Sequence, residues 1–484
     1  MRRLARVAAK GGGTPLAWVH VQGLPCRWAA GPFPFPLPNL DMIAEAVWFL
    51  LIGGLLTFIA LARGPIGRLP LTGAMIYLVV GVFIGPAFAG LVDVDLTRDP
   101  GLVRMLAEVG LVISLFAIGM HLRVPLRDRL WMLPLRLGGP AMLVTIALMT
   151  AFVMLVEGRP LGTALFLAAT LAPTDPVLAN ELRVKEAGDD EPVRFALSGE
   201  GGLNDGAAYP FAMLGLALVG APQFGTGDGL TFAGSVGWGV GSALAIGWVL
   251  AVVFVKTVFY LRTRYGEAIG LDGFLALGLM SASYGAALIV HAYAFVAVFA
   301  AGVALRHEEL RATGDTNPAE VLENVERGAR VDAAKDPERA HAYLAEAMMG
   351  FTLEMERIAE LSLMLLIGCV VSAHWREMLD AKAVLPALFL FFVARPLSVY
   401  TAMAGSQADG GQKRIIGWMG IRGVGAFYYA VLGIQEAGDT LRALLPAVLD
   451  TIVLSVLVHG STAGYALQRY FRRYREPKEQ EQRA

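Results

Sequence analysis

The chain is poor in cysteine, in charge and in basic excess. It has 2 cysteines in 484 residues. Cys26 lies in an N-terminal segment and Cys369 in an apolar run, which excludes a disulfide framework or a cysteine metal cluster. Charged residues make up 17% of the chain, where a soluble domain carries about 25%. Lysine and arginine number 40 against 41 acids, a net charge of −1, so no electrostatic footprint for nucleic acid is present. The opening residues hold no apolar core of signal-peptide length.

What is there is apolar: 56% of residues are hydrophobic. A helix needs about twenty apolar residues to cross the hydrocarbon core. On that measure the sequence predicts about thirteen spans, at 43–62, 71–91, 102–122, 137–156, 161–181, 194–219, 231–260, 268–290, 292–306, 356–374, 381–403, 414–434 and 441–466. The least marked boundary is Val290-His291-Ala292, where one long run must become two spans. The expected fold is therefore an all-α polytopic membrane protein.

The polar segments complete the organisation. Residues 1–41 end in Gly31-Pro-Phe-Pro-Phe-Pro-Leu-Pro38 and read as a disordered, polyproline-prone lead-in. Met42, directly before the first apolar helix, is a candidate start. Residues 42–466 form the transmembrane domain, and 307–355 is a polar, helically spaced insertion within it. A basic tail, 467–484, closes the chain. Cytoplasmic loops are enriched in lysine and arginine. Thirteen spans with the N-terminus outside and the C-terminus cytoplasmic put Arg123, Arg127, Arg129, Arg136, Arg183, Lys185, Arg262, Arg264 and the tail on one side. An even span count destroys that alternation. The insertion 307–355 then lies in the cytoplasm.

Two apolar runs carry acids where lipid would be expected. Leu161 to Asn180 contains Pro173-Thr174-Asp175-Pro176, and the next span contains Ser198-Gly-Glu200-Gly-Gly-Leu-Asn204-Asp205-Gly206. A carboxylate at membrane depth costs about 2.5–3.5 kcal/mol on insertion scales and marks an ion or proton path. Neither proline has an N–H, so each removes a helical hydrogen bond, and each disfavours the α conformation in the residue before it. The pair unwinds the fifth span near its middle. Unwound backbone is tolerated at that depth only when it is buried in protein or lines a cavity. Freed carbonyls and the Asp175 carboxylate are hard oxygen ligands for a small cation. A proline kink with a hydrogen-bonded acid would explain the fifth span alone, but not the sixth as well. There Glu200 and Asn204 share one helical face and Asp205 lies on an adjacent one.

Counter-charges come late. Arg395 sits in Phe391-Phe-Val-Ala-Arg-Pro-Leu-Ser398 and Arg422 in Trp418-Met-Gly-Ile-Arg-Gly-Val-Gly425. A buried arginine must be paired. The glycines around Arg422 weaken the twelfth span as the prolines weaken the fifth. Those two spans run in opposite directions and lie seven apart, as in inverted repeats with a broken helix in each half and a site where they cross.

The order APTDP, GEGGLNDG, ARPLSV, GIRGVGAFYYA resembles the electroneutral branch of the monovalent cation:proton antiporters, the NhaP-type and eukaryotic sodium/proton exchangers. The likeness runs from about Met42 to Tyr465 and includes Arg68-Leu-Pro-Leu-Thr-Gly73 and Val82-Phe-Ile-Gly-Pro86. It implies a thirteen-helix homodimer with a dimerisation domain and a mobile core, in a bacterial inner membrane. It also implies that Asp205 binds cation and proton in turn, with Asp175 and the Thr174 carbonyl helping to hold the cation. Asn204 takes the position that is a second aspartate in electrogenic relatives. Glu200 forms a buried ion pair with Arg395, and Arg422 steadies the crossing. The family's usual Glu-Ser-Leu-Leu-Asn-Asp is changed here, with Gly201 at the serine position.

The function expected is one-for-one exchange of Na⁺, with Li⁺, for H⁺, with no cofactor and no enzymatic step. K⁺/H⁺ exchange on the same scaffold is the alternative. A channel or ion-gated sensor would call for a continuous polar pore or charged rings, which the sequence lacks. An intramembrane enzyme with paired aspartates would leave the helix breakers and arginines without a role.

Overall fold

A computed structural model describes residues 71–175, 191–221, 229–265, 269–314 and 339–472, with isolated positions elsewhere. The chain divides after Thr57, and the helices from Gly73 onward all belong to the unit Phe58–Ala484. Most of the first predicted span, 43–62, lies outside the described residues.

Every described regular element is a helix. The helices that build the fold are α1 (Gly73–Ile84), α2 (Pro100–His121), α3 (Met132–Arg136), α4 (Met142–Val156), α5 (Leu161–Leu171), α6 (Pro192–Val219), α7 (Gly229–Tyr265), α8 (Asp272–Ile289), α9 (Ala294–Thr313) and α10 (Ala340–Met378), besides short turns of helix at Pro318–Glu323 and Asp439–Arg442. After these come α11 (Ala381–Phe389), α12 (Arg395–Ala402), α13 (Gly410–Trp418), α14 (Val424–Ala437) and α15 (Leu445–Tyr470). A π turn, Leu137–Ala141, joins α3 to α4, and another, Leu390–Ala394, joins α11 to α12. Pro140 lies in the first and Pro396 just after the second, where a missing N–H loosens the regular ladder. Among the described residues, 7 helical stretches are long and apolar enough to cross a membrane. The protein is an all-α integral membrane protein.

The ends follow local chemistry. The Thr72 hydroxyl accepts from Met75 N at 3.4 Å, capping α1. Pro192 stands in the first turn of α6, and the Glu191 carboxylate accepts from Arg194 N at 2.9 Å. At α13 a reciprocal cap forms: Gln412 N donates to Asp409 Oδ1 at 2.8 Å and Asp409 N to Gln412 Oε1 at 2.9 Å. The boundary expected near Val290-His291-Ala292 is real. His291 takes a φ of 57°, a left-handed turn between α8 and α9.

The helices form two packed sets. One comprises α1, α2, α7, α8, α9 and α10; the other comprises α3 through α6 and α11 through α15. In the first set α2 and α9 cross at Gly119 and Gly302. A Cβ on either would lie 2.5 Å from a carbonyl oxygen of the facing helix, Phe299 or Phe116. The sets meet where α14 and α6 lie against α2, and α6 against α9. The functional residues lie along that seam.

Several spans depart from the lengths read in the sequence, and the helix of the second, read as 71–91, already stops at Ile84. The tenth begins at Ala340, well inside the polar 307–355 segment, and α9 runs into that segment as far as Thr313. Its start is packed rather than solvated: Glu309 is buried. Arg123, just beyond α2, donates through Nε to Glu309 at 3.0 Å and through Nη2 to the carbonyls of Gly314 and Thr316 at 2.7 and 2.9 Å. Most of 324–338 lies outside the described residues.

Candidate functional site

The fifth span breaks where the prolines stand. Helix α5 ends at Leu171 and residues 172–175 leave the helical path. Pro176 and the remainder of that span lie outside the described residues. The twelfth span breaks as well: α13 ends at Trp418, 419–423 are unwound, and α14 begins at Val424. Backbone amides and carbonyls freed at the two breaks meet each other. Asp175 N donates to Ile421 O at 2.7 Å, and Val424 N donates to Asp175 Oδ2 at 3.3 Å. The second bond sets a carboxylate on the N-terminus of α14, where the helix dipole and unpaired N–H groups favour negative charge.

Two arginines hold the other helix ends. Arg422 is fully buried and its Nε donates to Leu171 O, the last residue of α5, at 2.6 Å. It also donates to Gly420 O within its own unwound segment. Arg395 makes a two-pronged pair with Glu200, its Nη2 to Oε2 at 2.7 Å and its Nη1 to Oε1. The same Nη2 reaches Ile416 O at 3.2 Å and Met419 O at 3.0 Å, the carbonyls that end α13. Each interrupted helix thus has a guanidinium at its carbonyl end, where positive charge is favoured. Glu200 neutralises one of the two.

Helix α6 is unbroken and carries the remaining groups. Asn204 Nδ2 donates to Thr174 Oγ1 at 2.7 Å and to Thr174 O at 3.3 Å. Its own Oδ1 is buried without a hydrogen-bond partner among the described residues. Asp205, one residue on, faces α14: a Cβ on Gly425 would lie 2.6 Å from Asp205 Oδ1. Only glycine allows that approach. Tyr429, one turn along α14, donates to Asp205 O at 2.6 Å and fixes the backbone behind the carboxylate. Asp175 and Asp205 thus both face the N-terminus of α14, at Val424 and at Gly425. A cavity of about 20 Å³ reaches Asp175 between α2, α10 and α14, lined also by Ser114, Glu356 and Glu360. That is room for about one water.

All seven residues singled out from the sequence, Thr174, Asp175, Glu200, Asn204, Asp205, Arg395 and Arg422, therefore meet at one crossing. Others escaped the sequence reading. Glu356 and Glu360 stand near the start of the predicted tenth span, beside the polar segment that precedes it, and carry no signal of their own. Ser455, on α15, bonds the Arg422 amide in the break, and His459 bonds Ser455. Their signal was present: Ser455, His459 and Thr462 recur at helical spacing in an otherwise apolar run.

The pattern of the transmembrane sodium/hydrogen exchanger family matches residues 54–469. The chain belongs to that family. It is a membrane transporter that exchanges a cation for protons. Two solved structures of the sodium proton antiporter MjNhaP1 from Methanocaldococcus jannaschii share its fold. One, at pH 8, is 19% identical with a TM-score of 0.63, covering 89% of this chain and 99% of that one. The other, an electron-microscopy map, is 20% identical with a TM-score of 0.65, covering 90% and 99%. The exchanger resembles them in its helical architecture.

Proposed function

We propose that this exchanger carries Na⁺, and with it Li⁺, in one direction and a single H⁺ in the other. Asp205 is the group that holds either the cation or the proton. Asp175, the Thr174 carbonyl and Asn204 complete an oxygen-rich site, which suits a small hard cation. The observation that carries this reading is the crossing itself. Two interrupted helices bring Asp175 against α14, and Gly425 on α14 admits the Asp205 carboxylate.

The division of labour follows from charge. Glu200 is neutralised by Arg395 and takes no part in proton exchange. Arg422 offsets the carbonyl end of α5 and keeps the break in register. Asn204 cannot ionise; it anchors Thr174 and has a free carbonyl oxygen among the described residues. Only the loaded forms of Asp205 move across the barrier, by displacement of the set that contains α5, α6, α13 and α14 against the set that contains α2, α9 and α10. The exchanger works as a homodimer in a bacterial inner membrane, with the N-terminus outside and the C-terminus and 307–355 in the cytoplasm.

K⁺/H⁺ exchange is the second reading, and one residue favours it. Gly201 lacks the side chain that a serine would bring one turn before Asp205, which leaves more room for a larger cation. The test is transport by purified protein in proteoliposomes, comparing Na⁺, Li⁺ and K⁺ at several pH values. Saturable proton flux with Na⁺ and Li⁺ but not K⁺ supports the first reading. Flux with K⁺ alone replaces it with the second.

A further inference from the structure

Helix α15 carries a polar stripe that the exchange reading leaves without a role. Ser455, His459 and Thr462 lie at i, i+4 and i+7, so they share a face. Ser455 and His459 are buried, at 0% and 1% exposure, in a stretch otherwise rich in Val, Leu and Ile. A buried hydroxyl and imidazole are retained at such depth only if they are hydrogen-bonded. All three reach the same place. Arg422 N donates to Ser455 Oγ at 2.8 Å. Ser455 Oγ and His459 Nδ1 share a hydrogen bond of 3.1 Å. Trp418 Nε1 donates to Thr462 Oγ1 at 3.1 Å. The His459 ring also stands edge-on to Trp418 and Phe391, with centroids 5.3 and 4.7 Å away.

These bonds bracket the unwound segment. Trp418 is the last helical residue before it, and Arg422 lies near its far end. The segment's carbonyls at Met419, Gly420 and Ile421 are held by Arg395, Arg422 and the Asp175 amide, but its own amides have few partners. Among the described residues, no hydrogen bond engages the backbone N–H of Gly420, Ile421 or Gly423. Yet it must hold two things still: the Ile421 carbonyl that receives Asp175 N, and the Val424 amide that faces the Asp175 carboxylate. The Arg422 amide lies between them in sequence. A shift there moves both contacts on the proposed cation ligand.

We propose that Ser455, oriented by His459, is a positioning residue for the cation site. It pins the Arg422 amide and so sets where Asp175 stands relative to Asp205. His459 acts one step further out, by fixing the rotor of the Ser455 hydroxyl. Neither residue touches the cation. The inference rests on the exchange reading of the site, and its consequence is specific: α15 tunes cation affinity through the break in the twelfth span.

The experiment measures apparent KM and maximal rate for Na⁺ in proteoliposomes, with melting temperature as a parallel readout. Loss of one buried hydrogen-bond partner leaves the Arg422 amide unsatisfied, and Ser455→Ala is expected to raise the apparent Na⁺ KM by about tenfold. His459→Leu should move KM in the same direction. His459→Asn, which keeps a polar group at the position of Nδ1, should restore most of the affinity. A purely structural role would lower the melting temperature and leave KM unchanged. A folded Ser455→Ala protein with the wild-type KM overturns the proposal, and so does His459→Asn no better than His459→Leu. A measurement on the wild-type protein covers the case in which Ser455→Ala does not fold. Hydrogen exchange read residue by residue should find the Arg422 amide slower than those of Ile421 and Gly423; equal rates overturn the proposal. Wild-type vesicles with no sodium-driven proton flux would instead defeat the exchange reading.

Discussion

The amide nitrogen of Asp175 donates to the carbonyl oxygen of Ile421 at 2.7 Å, a backbone bond between two helices that are both broken at that point. It joins residues far apart in sequence and far from any regular ladder. The bond exists because proline has removed donors on one side and glycine has relaxed the helix on the other. It brings an acid from the fifth span to the N-terminus of the last half of the twelfth.

Asp205→Asn should abolish exchange and leave the protein folded. An amide cannot take up and release a proton near neutral pH, and it is nearly the same size as the acid beside Gly425. Proton flux in vesicles should fall to background while the melting temperature holds. Coupled transport by the purified variant would remove Asp205 from its assigned role.

Glu200 and Arg395 should be coupled in stability. Removing one partner of a buried pair leaves a lone charge and costs about 3–5 kcal/mol. Loss of Arg395 has a second effect, because Arg395 also holds the Ile416 and Met419 carbonyls. Glu200→Gln should therefore be milder than Arg395→Met, and the double substitution should regain part of the stability lost by Glu200→Gln plus Arg395→Met. A double-mutant cycle by thermal unfolding measures this, and additive losses would reject the coupling.

Gly425→Ala should lower exchange severely without replacing any polar group. The new methyl would stand 2.6 Å from Asp205 Oδ1, closer than real side chains approach, so the carboxylate or α14 must move. A displacement of about 1 Å at a reacting centre can cost a hundredfold in rate. Initial rates of Na⁺-driven proton flux test it, and wild-type rates in Gly425→Ala would show that Asp205 has room to spare.

Much of this site was legible in the sequence because its causes are local. Pro173 cannot donate and Gly420 and Gly423 do not hold a helix, whatever surrounds them. Acids and arginines inside apolar runs stand out by cost alone. Pairing is another matter. Nothing local tells Arg395 to reach both Glu200 and the end of α13, or Arg422 to reach Leu171. Those contacts depend on how α6, α12 and α13 lie against one another. Glu356 was hidden for a related reason: its helix begins at Ala340, and a polar first half masked the point where that helix enters the protein. Ser455 and His459 were readable as a stripe, but a small hydroxyl in an apolar helix most often bonds its own backbone. Its partner, the Arg422 amide, exists only because another helix is broken.

Exchange should be electroneutral, one monovalent cation for one proton. Of the three acids at the crossing that the sequence marks, Glu200 is paired with Arg395 and Asp175 faces the Val424 amide, so on the proposed cycle both keep their charge in either loaded form. Asn204 cannot ionise. On the proposed cycle Asp205 alone alternates, and loading a cation then means releasing one proton, so the moving set would carry the same net charge both ways. A potential of 100 mV does about 2.3 kcal/mol of work on each unit charge moved, and a two-proton cycle would respond strongly to it. The measurement clamps proteoliposomes at several potassium/valinomycin potentials under fixed sodium and pH gradients, and reads the reversal point. A reversal point that stays put supports the one-proton cycle. One that moves with voltage requires a second titrating acid. Asp450 is then the first to test, because it is buried in α15 and its Oδ2 has no hydrogen-bond partner among the described residues. Asp450→Asn should leave the reversal point unchanged if Asp205 acts alone, and should abolish its voltage dependence if Asp450 carries the second proton.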